Sequence, residues 1–126
     1  MDNPFGAAGT ANYVLLTTFK KDGTPVGTAL WAALDQGRLY VWTVTDSWKV
    51  KRIRRNPQVT VQPCDVRGKP HGEVVQGTAT ILDAAGSNRV RGLIKRRYGL
   101  QGLFIVGGSV LRRGKSGTIG IEIVAA

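Results

Sequence analysis

The sequence predicts a mainly β domain, a small barrel or curled antiparallel sheet carrying two helices. Three observations carry that expectation. Runs rich in β-branched and aromatic residues recur along the chain. Asp22-Gly23 and Gln36-Gly37 separate the first of them as tight turns. Only two stretches, around residues 47–55 and 84–98, carry helical spacing.

Taken in order, residues 1–12 are small and Gly/Ala-rich and decide nothing between a loose arm and a short helix. Tyr13 to Phe19 reads as a strand, and Lys20-Lys21-Asp22-Gly23 as its hairpin turn. A second strand is expected over Pro25 to Leu34, and a third over Arg38 to Thr43 after Asp35-Gln36-Gly37. A short cationic helix interrupts this meander. Asp46 or Ser47 is placed to cap it, and Asn56-Pro57 ends it, because the residue before proline is pushed out of helical geometry. Val50 and Ile53, three apart, face a core. Gln58 to Pro63 is the next strand. In Glu73 to Leu82, Val75, Gly77, Ala79 and Ile81 alternate with Val74, Gln76, Thr78 and Thr80. Ala84 to Tyr98 groups Val90, Leu93 and Ile94 on one helical face, residues 99–114 resist assignment, and Thr118 to Val124 closes the chain as a strand. The expected total is about six strands and two or more short helices in a single domain, 1–126.

Charge narrows the partners. Lys plus Arg is 18 against 8 Asp plus Glu, a net charge of +10. That balance points to nucleic acid, an anionic surface or a small molecule bearing phosphates or carboxylates. The amino end lacks the pattern of a secretory signal, no apolar run approaches spanning length, and one cysteine suits a reducing compartment, so a cytoplasmic setting is expected.

Self-contained catalytic chemistry is missing. His71 is the only histidine and sits in a Pro-Gly loop, Cys64 lies at a strand end as packing, and no metal-ligand cluster or carboxylate pair is visible. Gly114-Lys115-Ser116 imitates the end of a P-loop, but Ser109 stands where that motif needs its first glycine, and a strand follows. Any enzyme built on this chain would need a cofactor to carry the chemistry.

The order of elements then acquires a meaning. A strand, an Asp-Gly turn, Thr28-Ala29-Leu30-Trp31, a strand ending at Thr43, a Ser47-x-Lys49 helix, Asn56-Pro57 and a further strand follow one another. This series resembles the pyridoxamine-phosphate-oxidase-like split β-barrel proteins, in particular the small actinobacterial type that uses the deazaflavin coenzyme F420. The resemblance covers about Tyr13 to Leu82 and returns in Thr118 to Ile123. It implies a homodimer with cofactor at the subunit interface and a small-molecule substrate. It also implies that Thr28, Ala29, Leu30 and Trp31 pass beside the ring, and that Thr43 meets the ribityl or phosphate part. Ser47 and Lys49 would bind the phosphate, and Arg54 and Arg55 the tail; the 99–113 segment would approach the partner's site.

Core or dimer packing is the competing role for Trp31. The surplus of arginines, Arg52, Arg54, Arg55, Arg96, Arg97, Arg112 and Arg113, favours the several negative charges of F420 over the single phosphate of flavin mononucleotide (FMN). The alternatives are an FMN enzyme of the same fold, a non-catalytic cofactor carrier and, more remotely, a nucleic-acid-binding barrel with Tyr40, Trp42 and Trp48 as stacking platforms.

Overall fold

A computed structural model describes residues 4–44, 47–113 and 118–126, with the backbone alone for residues 44 and 100–113. A four-residue helix, α1 (Ala7–Thr10), leads into β1 (Tyr13–Phe19), β2 (Pro25–Leu30), β3 (Ala32–Asp35) and β4 (Arg38–Val44). Then come α2 (Trp48–Arg55), β5 (Gln58–Cys64), β6 (Val75–Ile81), α3 (Ala84–Arg113) and β7 (Thr118–Ala125). All strand pairings are antiparallel, in the order β2-β1-β5-β6-β7-β4-β3.

That order makes the sheet roll. β2 and β3 are its two outer strands, yet only Trp31 separates them in the chain. The two edges are therefore tied together at one residue, and the sheet curls into the expected split barrel. The run read as one strand over Pro25 to Leu34 is thus two strands, giving seven rather than six. The break is held from far away in sequence. The Trp31 ring stacks on Tyr98, centroids 4.2 Å apart at 6°. The Tyr98 hydroxyl accepts from the Ala32 N–H at 3.3 Å and donates toward the carbonyls of Asn12 (2.7 Å) and Ala32 (3.1 Å). Local propensity cannot encode a kink imposed by a residue 67 positions away.

Inside the roll, Val14, Leu16, Leu39, Val41, Val59, Val61, Ile121 and Ile123 are essentially inaccessible to solvent. Val50 and Ile53 of α2, with Phe5 and Ala8 at the amino end, join this core. The alternation expected along β6 holds, with Gly77 and Ala79 inward and Gln76, Thr78 and Thr80 outward. A second layer forms outside the sheet, where Val90 and Ile94 of α3 pack on Ala33 and Tyr40 with Trp31, Trp42, Leu82, Leu93 and Tyr98. Gly120 permits this approach, since a Cβ there would stand 2.7 Å from Val90 Cγ2.

The stretch that resisted assignment is helical in backbone. α3 runs to Arg113, with one non-helical residue, Gly99, at φ 62° and ψ −136°. The helix expected to end at Tyr98 does pause there, at a positive φ that favours glycine. Cys64 is buried and unpaired, as packing requires, while His71 is exposed in its loop.

Candidate functional site

The site begins with the two turns of α2. Eight residues are too few for a helix to persist alone in water, so its stability comes from burying Val50 and Ile53. Arg52, Arg54 and Arg55 in the last turn complement the dipole, and no acidic residue occupies the first. The first N–H groups have no place in the helical ladder. A positive end with no acidic residue in its first turn can seat an anion.

Two side chains sharpen that seat. Ser47 is the N-cap residue, in extended geometry at φ −70° and ψ 154°, yet its side chain makes no capping bond. The expectation that its hydroxyl caps the helix is corrected; Asp46 lies outside the described residues. Ser47 Oγ is instead buried with no hydrogen-bond partner among the described residues. Such an orphan costs on the order of 1–3 kcal/mol. Beside it, Lys49 is half-buried with no carboxylate within 4 Å among the described residues. Burial, followed by the Arg52 charge, pushes its pKa below the ordinary 10.5. A desolvated cation and an unsatisfied hydroxyl thus stand at one helix start, the donor set that a phosphate oxygen satisfies.

The other expected residues fall into place unequally. Thr43 is 7% exposed near the end of β4, opposite Ile119 of β7, four residues before Ser47. Thr28, Ala29 and Leu30 are half-buried on β2, opposite Leu16, Leu15 and Val14. As β2 is an outer strand, one row of its backbone N–H and C=O groups has no ladder partner, and β2 lies against β4 across the gap of the roll. Trp31 is committed to Tyr98, which favours its packing role.

The arginines divide as well. Arg55 is exposed and donates to the Phe19 carbonyl at 3.0 Å. Arg54 is exposed too, and five residues along a helix place it about 140° round from Lys49. The structure therefore does not gather these two with Ser47 and Lys49. Arg52 belongs there instead, about 60° from Lys49, depressing its pKa and donating to Thr18 Oγ1 at 3.3 Å. The i, i+3 spacing of Lys49 and Arg52 was the signal for it.

Arg97, counted toward a cofactor tail, is spent elsewhere. It donates to the carbonyls of Thr10 (2.8 Å), Ala11 (2.7 Å) and Ala32. The side chains of Arg112 and Arg113, and the Gly114-Lys115-Ser116 stretch, lie outside the described residues. Trp42 and Tyr40 line the α3 layer, so neither is an open stacking platform.

A rolled antiparallel sheet with a short helix inserted after its fourth strand defines a split-barrel protein. The comparisons agree on the fold. The family model for pyridoxamine 5'-phosphate oxidase matches residues 8–112, and the chain belongs to that family. The protein Rv2991 of Mycobacterium tuberculosis is similar in structure at a TM-score of 0.69 and 25% identity, over 93% of this chain and 74% of that one. The heme storage protein HutZ of Vibrio cholerae aligns at a TM-score of 0.69 and 14% identity, over 94% and 84%. An F420 reductase aligns at 0.60 and 20% identity, over 100% and 96%. No curated protein matches the sequence.

Proposed function

We propose that the protein is an F420-dependent oxidoreductase, working as a homodimer with cofactor at the subunit interface. The observation that carries this reading is the pair at the start of α2: the buried Ser47 Oγ and the half-buried Lys49, neither with a bonded partner among the described residues. Their donor chemistry fits a phosphodiester. Arg52 adds a third contact to that end of the cofactor, and the Thr43 hydroxyl a neighbouring one. Thr28 and the free edge of β2 would hold the rim of the ring.

When bound at this site, reduced deazaflavin would supply a hydride for an electron-poor double bond, such as that of an enone or a quinone. The protein's share is orientation and exclusion of water. The second requirement is one proton at the substrate, and solvent or a hydroxyl such as that of Thr28 delivers it. His71, exposed and tied to the Pro63 carbonyl through its backbone N–H at 2.9 Å, has no part in this.

FMN needs one phosphate seat, whereas Lys49, Lys51, Arg52 and Arg54 are free of carboxylates among the described residues. That favours the more anionic coenzyme, and the F420 reductase of the same fold supports the choice. Calorimetric titration with F420 and with FMN tests it, followed by turnover of enones and quinones. Tighter F420 binding with reduction of one substrate class is expected. FMN binding without F420 binding would reverse the choice, and binding without turnover of any substrate would make the protein a carrier. Sedimentation with cofactor present should give a dimer. His71→Ala should leave turnover unchanged.

A further inference from the structure

The outer face of α2 holds a second cationic surface, which meets the first at Arg52. Lys20 and Lys21 of the β1–β2 turn, with Arg52 and Arg55, line an open groove of about 380 Å³ that Trp48 walls on one side. Trp48 is 70% exposed, an unusual setting for so large an apolar ring. Lys51 Nζ stands 4.5 Å from the ring centroid and is not among the residues lining the groove. On the helix, Trp48 and Arg55 lie about 100° and 120° round from Lys49, with Arg52 between the two surfaces.

Among the described residues no ion pair holds these cations, and only the Asp22 carboxylate of the same turn acts electrostatically on one of them, Lys20. Arg52 and Arg55 each donate to a neutral acceptor on β1, Thr18 Oγ1 and the Phe19 carbonyl, and keep further N–H donors. No carboxylate lies within 4 Å of the four among the described residues. The nearest acid in the turn, Asp22, accepts from the Thr24 N–H at 3.0 Å. Four like charges around one groove repel, and a polyanion relieves them. Charge alone suits any polyanion, whereas a largely exposed indole in the groove lining favours one that carries a planar ring. The concavity suits a small molecule or a chain rather than a flat bilayer.

We propose that this groove binds a nucleotide unit, its base stacked on Trp48 and its phosphates held by Lys20, Lys21, Arg52 and Arg55. The unit comes either from a free nucleoside polyphosphate or from single-stranded nucleic acid. The sequence placed nucleic acid last because no stacking motif is legible in it. In the structure Tyr40 and Trp42 pack in the α3 layer, and Trp48 alone of the three expected platforms lines the cationic groove.

The test uses the whole protein, titrated with a labelled oligothymidylate and with ADP, alone and after saturation with F420. Binding should weaken roughly fivefold to hundredfold in Trp48→Ala, the range for losing one stacked base. In the double variant Lys20→Ala/Lys21→Ala, the log–log salt slope for the oligonucleotide should fall by about 1.4. All three residues are exposed, so the thermal midpoint should hold. Oligonucleotide tighter than ADP identifies a strand as the source; ADP equal or tighter identifies a free nucleotide. The proposal is overturned if neither binds, if F420 displaces them, or if only anionic vesicles bind. It is also overturned if an oligoglutamate binds as tightly without needing Trp48. Because the first titration needs no cofactor, this result is independent of whether F420 binds at Ser47 and Lys49.

Discussion

The helices α2 and α3 are both rich in arginine and use it in opposite ways. Along α3, every cation with a described bond is consumed by the fold. Arg89 pairs with Asp35 and donates to the Tyr40 hydroxyl. Arg91 is 6% exposed and donates to the carbonyl and hydroxyl of Thr118 and to Asn88. Arg97 staples the backbone of α1 to β3. Along α2, Lys49 and Arg54 make no such bond among the described residues, and Arg52 and Arg55 spend one N–H each on β1. The net charge of +10 is therefore not one quantity. Part of it is internal scaffolding, and part makes no ion pair within the described residues.

Substitutions should separate the two kinds. The largest effect on stability is expected at Arg91. Arg91→Ala removes charge-assisted bonds and strands the Thr118 carbonyl inside the fold, so denaturant unfolding should show a loss of about 2–3 kcal/mol. Cofactor affinity in the folded fraction should be unaltered. An unchanged unfolding midpoint would mean that α3's arginines are surface charge after all. On α2 the balance inverts, since Ser47→Ala deletes no capping bond. Its stability should move by less than about 0.5 kcal/mol, while cofactor binding weakens by roughly tenfold or less.

Next in size is Tyr98, whose hydroxyl bridges Asn12 and Ala32 at the join of the two outer strands. Tyr98→Phe keeps the stack on Trp31 but loses this bridge, and should cost about 1 kcal/mol by the same unfolding measurement.

The smallest effect concerns pH. Burial holds the folded Lys49 pKa below 10.5, so in the alkaline window between the two values the unfolded chain binds more protons. Stability conferred by relieving this group therefore rises with pH through that window, and the full penalty applies below it. Lys49→Met should remove this rise and slightly increase the unfolding midpoint of the cofactor-free protein at neutral pH. A decrease there would show that Lys49 already has an anionic partner.

Much of this was legible in the sequence. The Asp22-Gly23 and Gln36-Gly37 turns, the alternation in β6 and the Val50/Ile53 spacing are local signals, and each became the expected element. The break at Trp31 and the fate of Arg97 were not, because both depend on contacts between residues more than 60 apart. The composition counted arginines without knowing their partners, and so overstated the charge available to a cofactor. Ser47 and Lys49 were visible as a pattern; that the hydroxyl would be buried and unsatisfied rather than a cap required the structure.

Calorimetric titration of F420 into Lys49→Ala and Lys51→Ala tests the phosphate seat most directly. Lys51 is exposed and about 160° round the helix from Lys49, over the Trp48 ring. Losing the charge-assisted bond at Lys49 is worth about 1.5–3 kcal/mol, roughly a tenfold to hundredfold rise in the dissociation constant. Lys51→Ala should change it by less than about twofold. Equal losses at the two positions would contradict the account, since α2 would then act only as diffuse positive charge.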